Sequence, residues 1–138
     1  HGDSMVPLPQ FSTMDGVSIQ ATLPSDEIDA INHRTQHGGA EIVNLLKTGS
    51  AFYAPSAAAV AMAKSILRNE RRLLPCAAYL DGQYGLEDIY MGVPCVLGAN
   101  GVERIVDLEL DDSGREKLNA SAVAIRADIE TLKEKGLL

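Results

Sequence analysis

The chain has 138 residues, 46% of them hydrophobic and 22% charged, with a net charge of −7, which is enough to bury one core. That acidic balance argues against a nucleic-acid surface or an anionic membrane face, since either needs a basic patch. No run approaches the ~18 to 20 apolar residues that cross a bilayer, and no basic-then-apolar leader is visible, so neither membrane insertion nor export is expected.

The chain opens HGDSMVPLPQ. Two prolines in MVPLPQF confine that stretch to an edge or irregular strand. VSIQATL (17–23) alternates, with Val17, Ile19, Ala21 and Leu23 on one face and Ser18, Gln20 and Thr22 on the other. That pattern predicts a half-buried strand. LPSDEIDAINHRTQHGGAEIVNLLKTG then predicts a long helix, with Ser25 as N-cap, acidic residues in its first turn, and Lys47 with Gly49 at its end. Gly38 and Gly39 interrupt the pattern at about 1 kcal/mol each against alanine, which implies a bend or a close approach. His33 and His37, four apart, could form two legs of a zinc site. No third ligand stands at a characteristic spacing, so a surface pair and no metal are expected.

Pro55 suits the first turn of a second helix, PSAAAVAMAKSILRNE, where its missing N–H costs little. The alanine run over 57–63 predicts tight packing against a neighbour. RLLPCAAYL, IYMGVPCVL and VERIVDLEL follow, separated by the turn-rich DGQYG and GANG. Such short connections predict antiparallel pairing, because parallel strands need a long crossover. GANG is too short and misplaced for a phosphate loop and reads as a hairpin turn. Cys76 and Cys95 sit inside apolar runs and match no CxxC pattern. They are expected to be buried, reduced and unpaired. The last helix is predicted near Ser113, with Glu116 completing a capping box. Leu118, Ala122, Ile125, Ile129 and Leu132 form its buried stripe. Strands, helices, strands, helix: the fold class is α+β, twisted antiparallel strands packed with long helices.

HGD followed by MVP, then RT-x-x-GGAEIV-x-LLKTGSA-x-YAP, then LPCAAYL-x-GQYG, then GVPCVLGANGVE, run in order through most of the chain. In this the chain resembles the C-terminal part of a malate dehydrogenase of the lactate-dehydrogenase-like branch. The resemblance implies that residues 1–138 form a C-terminal catalytic and substrate domain, with the dinucleotide-binding domain upstream. It also implies NAD as cofactor and malate or oxaloacetate as substrate. His1 would be the group that takes the proton of the 2-hydroxyl and returns it to the carbonyl oxygen. Imidazole suits this task because its unperturbed pKa of ~6.5 allows both states near neutrality. The carboxylate that orients that ring, and the arginines whose planar forks clamp the substrate carboxylates, are expected upstream. Asp3 is too far to replace that carboxylate, since residues two apart in extended chain span ~7 Å.

By the same resemblance Ser50 would touch substrate, with Ala51 as the alternative at that position and a helix cap as the alternative role for Ser50. Pro55 or Ala54 would wall the nicotinamide. No residue is assigned to binding the cofactor. The 27–47 helix resembles one that forms a subunit interface, so a homo-oligomer, dimer or tetramer, is expected, in the cytoplasm and with no nucleic acid or membrane as partner. Lactate dehydrogenase is the alternative within the class. As an isolated chain, an inactive assembly module is the alternative outside it.

Overall fold

The computed structural model describes residues 4–137, which fall into two compact units. One takes in the chain through Ala51 together with Asp112–Ser121; the other takes in Phe52–Asp111 and the chain from Ala122.

In the first unit, a single 3-10 turn at Pro9–Phe11 occupies the proline-rich stretch. A two-residue hairpin follows, β1 (Thr13–Met14) with β2 (Val17–Ser18). The strand predicted over 17–23 ends after those two residues, and one helical turn, α1 (Ile19–Thr22), takes its place. The reason is lack of a partner, since among the described residues no third strand pairs with this ribbon and Val17 remains 55% exposed. Alternation stabilises a strand only when one face is covered. The turn closes instead on its own chain, with the Thr22 hydroxyl donating to the Ser18 carbonyl at 2.9 Å.

Helix α2 (Ser25–Leu46) runs without interruption through Gly38 and Gly39. Its N-cap is Pro24, not Ser25, and no side chain caps it. Proline supplies the extended N-cap backbone (φ −60°, ψ 152°) through its locked ring, so Ser25 becomes the first helical residue. Lys47 ends the helix in the left-handed region at φ 61°, close to the predicted stop.

In the second unit, helix α3 (Tyr53–Leu67) holds Pro55 in its first turn, and Ser65 is its buried residue. The alanines over 57–63 are exposed or half-buried, so within this unit they do not make the tight packing that their size suggests. Strands β3 (Arg72–Asp81), β4 (Glu87–Gly98) and β5 (Gly101–Ile105) form an antiparallel sheet in that order. Burial alternates strictly along the middle of β3 and β4. Cys76, Ala78 and Leu80 on β3, with Ile89, Met91, Val93, Cys95 and Leu97 on β4, point to one side and form the core. GANG is the β4–β5 hairpin turn, with Gly98 opposite Gly101. The sequence segment VERIVDLEL is strand only as far as Ile105.

Helix α4 (Asp112–Glu134) starts one residue before Ser113, which therefore lies inside the helix rather than at its cap. Leu118 and Ala122 are buried as the stripe requires, while Ile125 and Ile129 are half-buried and Leu132 is 40% exposed. The α+β class holds, with antiparallel strands and long helices.

Candidate functional site

His1 and Asp3 lie outside the described residues. What the structure does describe is the chain that follows them. The Ser4 carbonyl accepts a hydrogen bond from the Ser121 hydroxyl at 2.6 Å, and the Met5 carbonyl accepts one from the Gln36 amide at 2.9 Å. Ser121 is 8% exposed, on α4, and Gln36 is half-buried, on α2. Two helices thus hold the backbone three and four residues beyond His1. Neither residue was singled out from sequence. A polar side chain that binds a carbonyl 117 positions away leaves no local signal.

Ser50 lies in the segment that follows α2, after Lys47 and after Gly49 at φ 90°. Its side chain is exposed and has no hydrogen-bond partner among the described residues. It is not a helix cap: α3 has Phe52 at its N-cap position with no side-chain cap bond, and the Ser56 hydroxyl bonds to the Phe52 carbonyl at 2.7 Å. Ala51 is half-buried. Of the pair, Ser50 is the residue with a hydroxyl free to meet a ligand.

His33 and His37 stack at 4.2 Å on the exposed side of α2, and His37 Nδ1 is held by the His33 carbonyl at 2.8 Å. That bond occupies one ring nitrogen of His37. No group of three or more metal-ligating side chains occurs among the described residues. Cys76 and Cys95 are buried and unpaired; burial pushes both thiols up, towards the neutral, unreactive form.

Tyr84, at φ 57° in the β3–β4 turn, reaches the chain just beyond β5. Its hydroxyl donates to the Val106 carbonyl at 2.6 Å and accepts from the Leu108 N–H at 3.2 Å. Burial holds the phenol above its usual range, and the Leu108 N–H partly offsets this.

Among the described residues no glycine turn joins a strand to a helix in the way that cradles a pyrophosphate. The glycine-flanked turn at 98–101 joins two strands. The described residues therefore offer no glycine-turn cradle for a dinucleotide's pyrophosphate.

The chain matches the family described as lactate/malate dehydrogenase, alpha/beta C-terminal domain, over residues 1–136. It is 57% identical over 134 residues to a malate dehydrogenase of Roseiflexus castenholzii, covering 97% of this chain and 43% of that protein. Against a malate dehydrogenase of Methanosarcina barkeri the identity is 56% over 133 residues, covering 96% and 43%. The chain thus spans less than half the length of these curated relatives. Among solved structures it is similar to malate dehydrogenase from Salinibacter ruber, with a TM-score of 0.91 at 44% identity, covering 99% of this chain and 45% of that one. It is also similar to lactate dehydrogenase from Eimeria maxima with NADH and oxamate, with a TM-score of 0.89 at 35% identity, covering 99% and 45%.

Proposed function

Since the chain belongs to the lactate/malate dehydrogenase family, as its C-terminal domain, we propose that it is the substrate-handling part of an NAD-dependent malate dehydrogenase. The observation that carries this reading is the 57% identity to a malate dehydrogenase across nearly the whole chain. Malate is favoured over lactate because the curated relatives at 51–57% identity are malate dehydrogenases; among the similar solved structures malate dehydrogenases span 34–44% identity and lactate dehydrogenases 35–37%.

In this reading His1 is the proton carrier at the substrate's 2-oxygen, accepting the hydroxyl proton of malate or donating to the carbonyl of oxaloacetate. Ser121 and Gln36 position it by holding the backbone just beyond it. Ser50 contributes a hydrogen bond to the substrate. NAD supplies the hydride chemistry and would be held by the part of the enzyme that this chain does not span. The enzyme is a cytoplasmic homo-oligomer. Two buried, unpaired thiols support a reducing compartment. The glycine pair of α2 supports an interface on that helix, since nothing lies within 4 Å of a Cβ built at Gly38 or Gly39.

The test is His1→Asn in the full-length enzyme. Turnover of oxaloacetate should fall by at least ~10² to 10⁴-fold, the usual worth of general acid–base help, while the Kd for NADH stays unchanged. A variant that keeps half its turnover sinks the assignment of His1.

A further inference from the structure

Asn100 is the asparagine of this chain that precedes a glycine; the other four, Asn32, Asn44, Asn69 and Asn119, precede His33, Leu45, Glu70 and Ala120. With Ala99 it forms the turn of the β4–β5 hairpin, and both side chains are exposed. Gly101 follows in the left-handed region at φ 83°. The residue whose nitrogen lies next to the Asn100 side chain thus has no Cβ to shield that nitrogen, and the space around it is open. The Asn100 amide makes one long hydrogen bond among the described residues, Nδ2 to Glu103 Oε1 at 3.5 Å.

The other asparagines are held. Asn32 and Asn44 lie within α2 and Asn119 within α4, where the next N–H donates up the helix. Asn69 accepts the Ala99 N–H through Oδ1 at 3.0 Å, and the Glu70 N–H after it donates to the Ser65 carbonyl at 2.9 Å. Gly101 stands in the last rung of its ladder, opposite Gly98, and the rungs at a loop tip open first.

We propose that Asn100 is a site of covalent modification, a deamidation that needs no enzyme. The Gly101 nitrogen gives up its proton and bonds to Asn100 Cγ; the Cγ–Nδ2 bond breaks, and Nδ2 leaves as ammonia with that proton. Water then opens the cyclic imide at either carbonyl, which yields aspartate or its isomer with the backbone running through the side chain. One water enters, one ammonia leaves, and nothing is oxidised or reduced. The product changes what grips the hairpin. Glu103, with 16% of its side chain exposed, pairs with Arg71 Nε at 2.9 Å, and its carboxylate lies over Gly98, in the space that a side chain there would take. Arg71 and Asn69 both stand at positive φ in the α3–β3 connection, which thus holds the hairpin tip at Ala99 and at Glu103. A carboxylate at position 100 replaces the donor facing Glu103 with a like charge, and two carboxylates then compete for one guanidinium. The isomer also adds a carbon to the backbone of the turn that closes on the Gly98–Gly101 rung. Deamidation therefore loosens the α3–β3 connection from the hairpin.

The test is an ageing experiment on the full-length enzyme. The protein is held for weeks at mildly alkaline pH, where the Gly101 nitrogen loses its proton more readily, and is mapped at intervals by digestion and mass spectrometry. The peptide containing Gly98–Val102 should gain the mass difference between NH2 and OH roughly tenfold or more faster than any peptide with another asparagine of this chain, about 1.4 kcal/mol in barrier. It should also split into two chromatographic isomers. Conversion at Asn100 no faster than at Asn32, Asn44, Asn69 or Asn119 overturns the site. Asn100→Asp installs the charge at once and reads the consequence in fresh protein. Trypsin should cut it at Arg71 about two- to fivefold faster than wild type, the worth of an exposed ion pair, with cutting at Lys117, inside α4, unchanged. Asn100→Ser, with neither amide nor charge, should be cut at the wild-type rate. Cutting at Arg71 that is no faster in Asn100→Asp, or equally faster in Asn100→Ser, overturns the loosening. Mass and cleavage are read without turnover, so these outcomes stand whether or not the enzyme acts on malate.

Discussion

Replacing Ser121 by alanine in the full-length enzyme isolates the anchoring of the segment behind His1. Alanine keeps α4 intact, being the best helix former, so the change removes only the hydroxyl that donates to the Ser4 carbonyl at 2.6 Å. Loss of one neutral hydrogen bond costs about 0.5 to 1.5 kcal/mol of stability. Water can take over part of the role, because Ser4 is only half-buried. The larger effect should be on turnover. Three residues of chain reach at most ~10 Å, so the Ser4 carbonyl limits where the imidazole of His1 can sit. A misplacement of ~1 Å can cost 10²-fold in rate. We expect kcat for oxaloacetate to fall about tenfold or more, with KM for NADH unchanged. Gln36→Ala should act in the same direction, through Met5. The assay is steady-state kinetics beside urea unfolding on the same preparations. If kcat stays within about twofold while stability drops by ~1 kcal/mol, the bond serves the fold alone and the positioning argument is refuted.

Four further outcomes follow from the same structure. Ser50→Ala should raise KM for oxaloacetate about two- to tenfold, the worth of one hydrogen bond, with little change in NADH binding; an unchanged KM shifts the contact to Ala51. Thiol titration of unfolded protein prepared without reductant should find both Cys76 and Cys95 free, and a single disulfide between them contradicts their assignment. Gly39→Leu should lower the mass of the enzyme on dilution, since α2 presents that glycine outward; a loss of thermal stability at native mass rejects the α2 interface. Tyr84 is more readily neutral in the folded state than in the unfolded one, where its pKa is ~10, because burial raises it. Its contribution is therefore complete below pH ~10 and is lost as pH rises through the higher folded value. Tyr84→Phe should flatten the alkaline fall of stability measured by denaturant titration; an undiminished slope assigns that fall to other groups.

Where burial and period agree, the fold was legible. β3 and β4 alternate because one face is a core, and α2 was readable from its length and from the stop at Lys47. The strand reading of 17–23 failed because alternation says nothing about whether a third strand is present to pair. Ser25 and Ser113 failed as caps because the turn geometry was already set by neighbours, Pro24 in the first case and the earlier start at Asp112 in the second. For the site, type and order of residues led to His1 and Ser50. Ser121 and Gln36 stayed hidden, because they act on carbonyls rather than on any partner that a pattern could match.

Helix α3 reverses the usual relation between a helix and its surroundings. Its one buried residue is the polar Ser65, whose hydroxyl donates to the Leu97 carbonyl at 2.6 Å and accepts the Arg72 N–H at 3.2 Å. Outside it, Tyr53, Val60 and Leu67 are 72%, 59% and 85% exposed. Tertiary packing in this unit therefore supplies little of what keeps the helix wound. Composition supplies it: six of its fifteen residues are alanine, the residue that gives up least conformational freedom on coiling. At this length an alanine-rich segment sits near the margin of independent helicity. During synthesis α3 can thus sample its coiled form before the rest of the unit has folded.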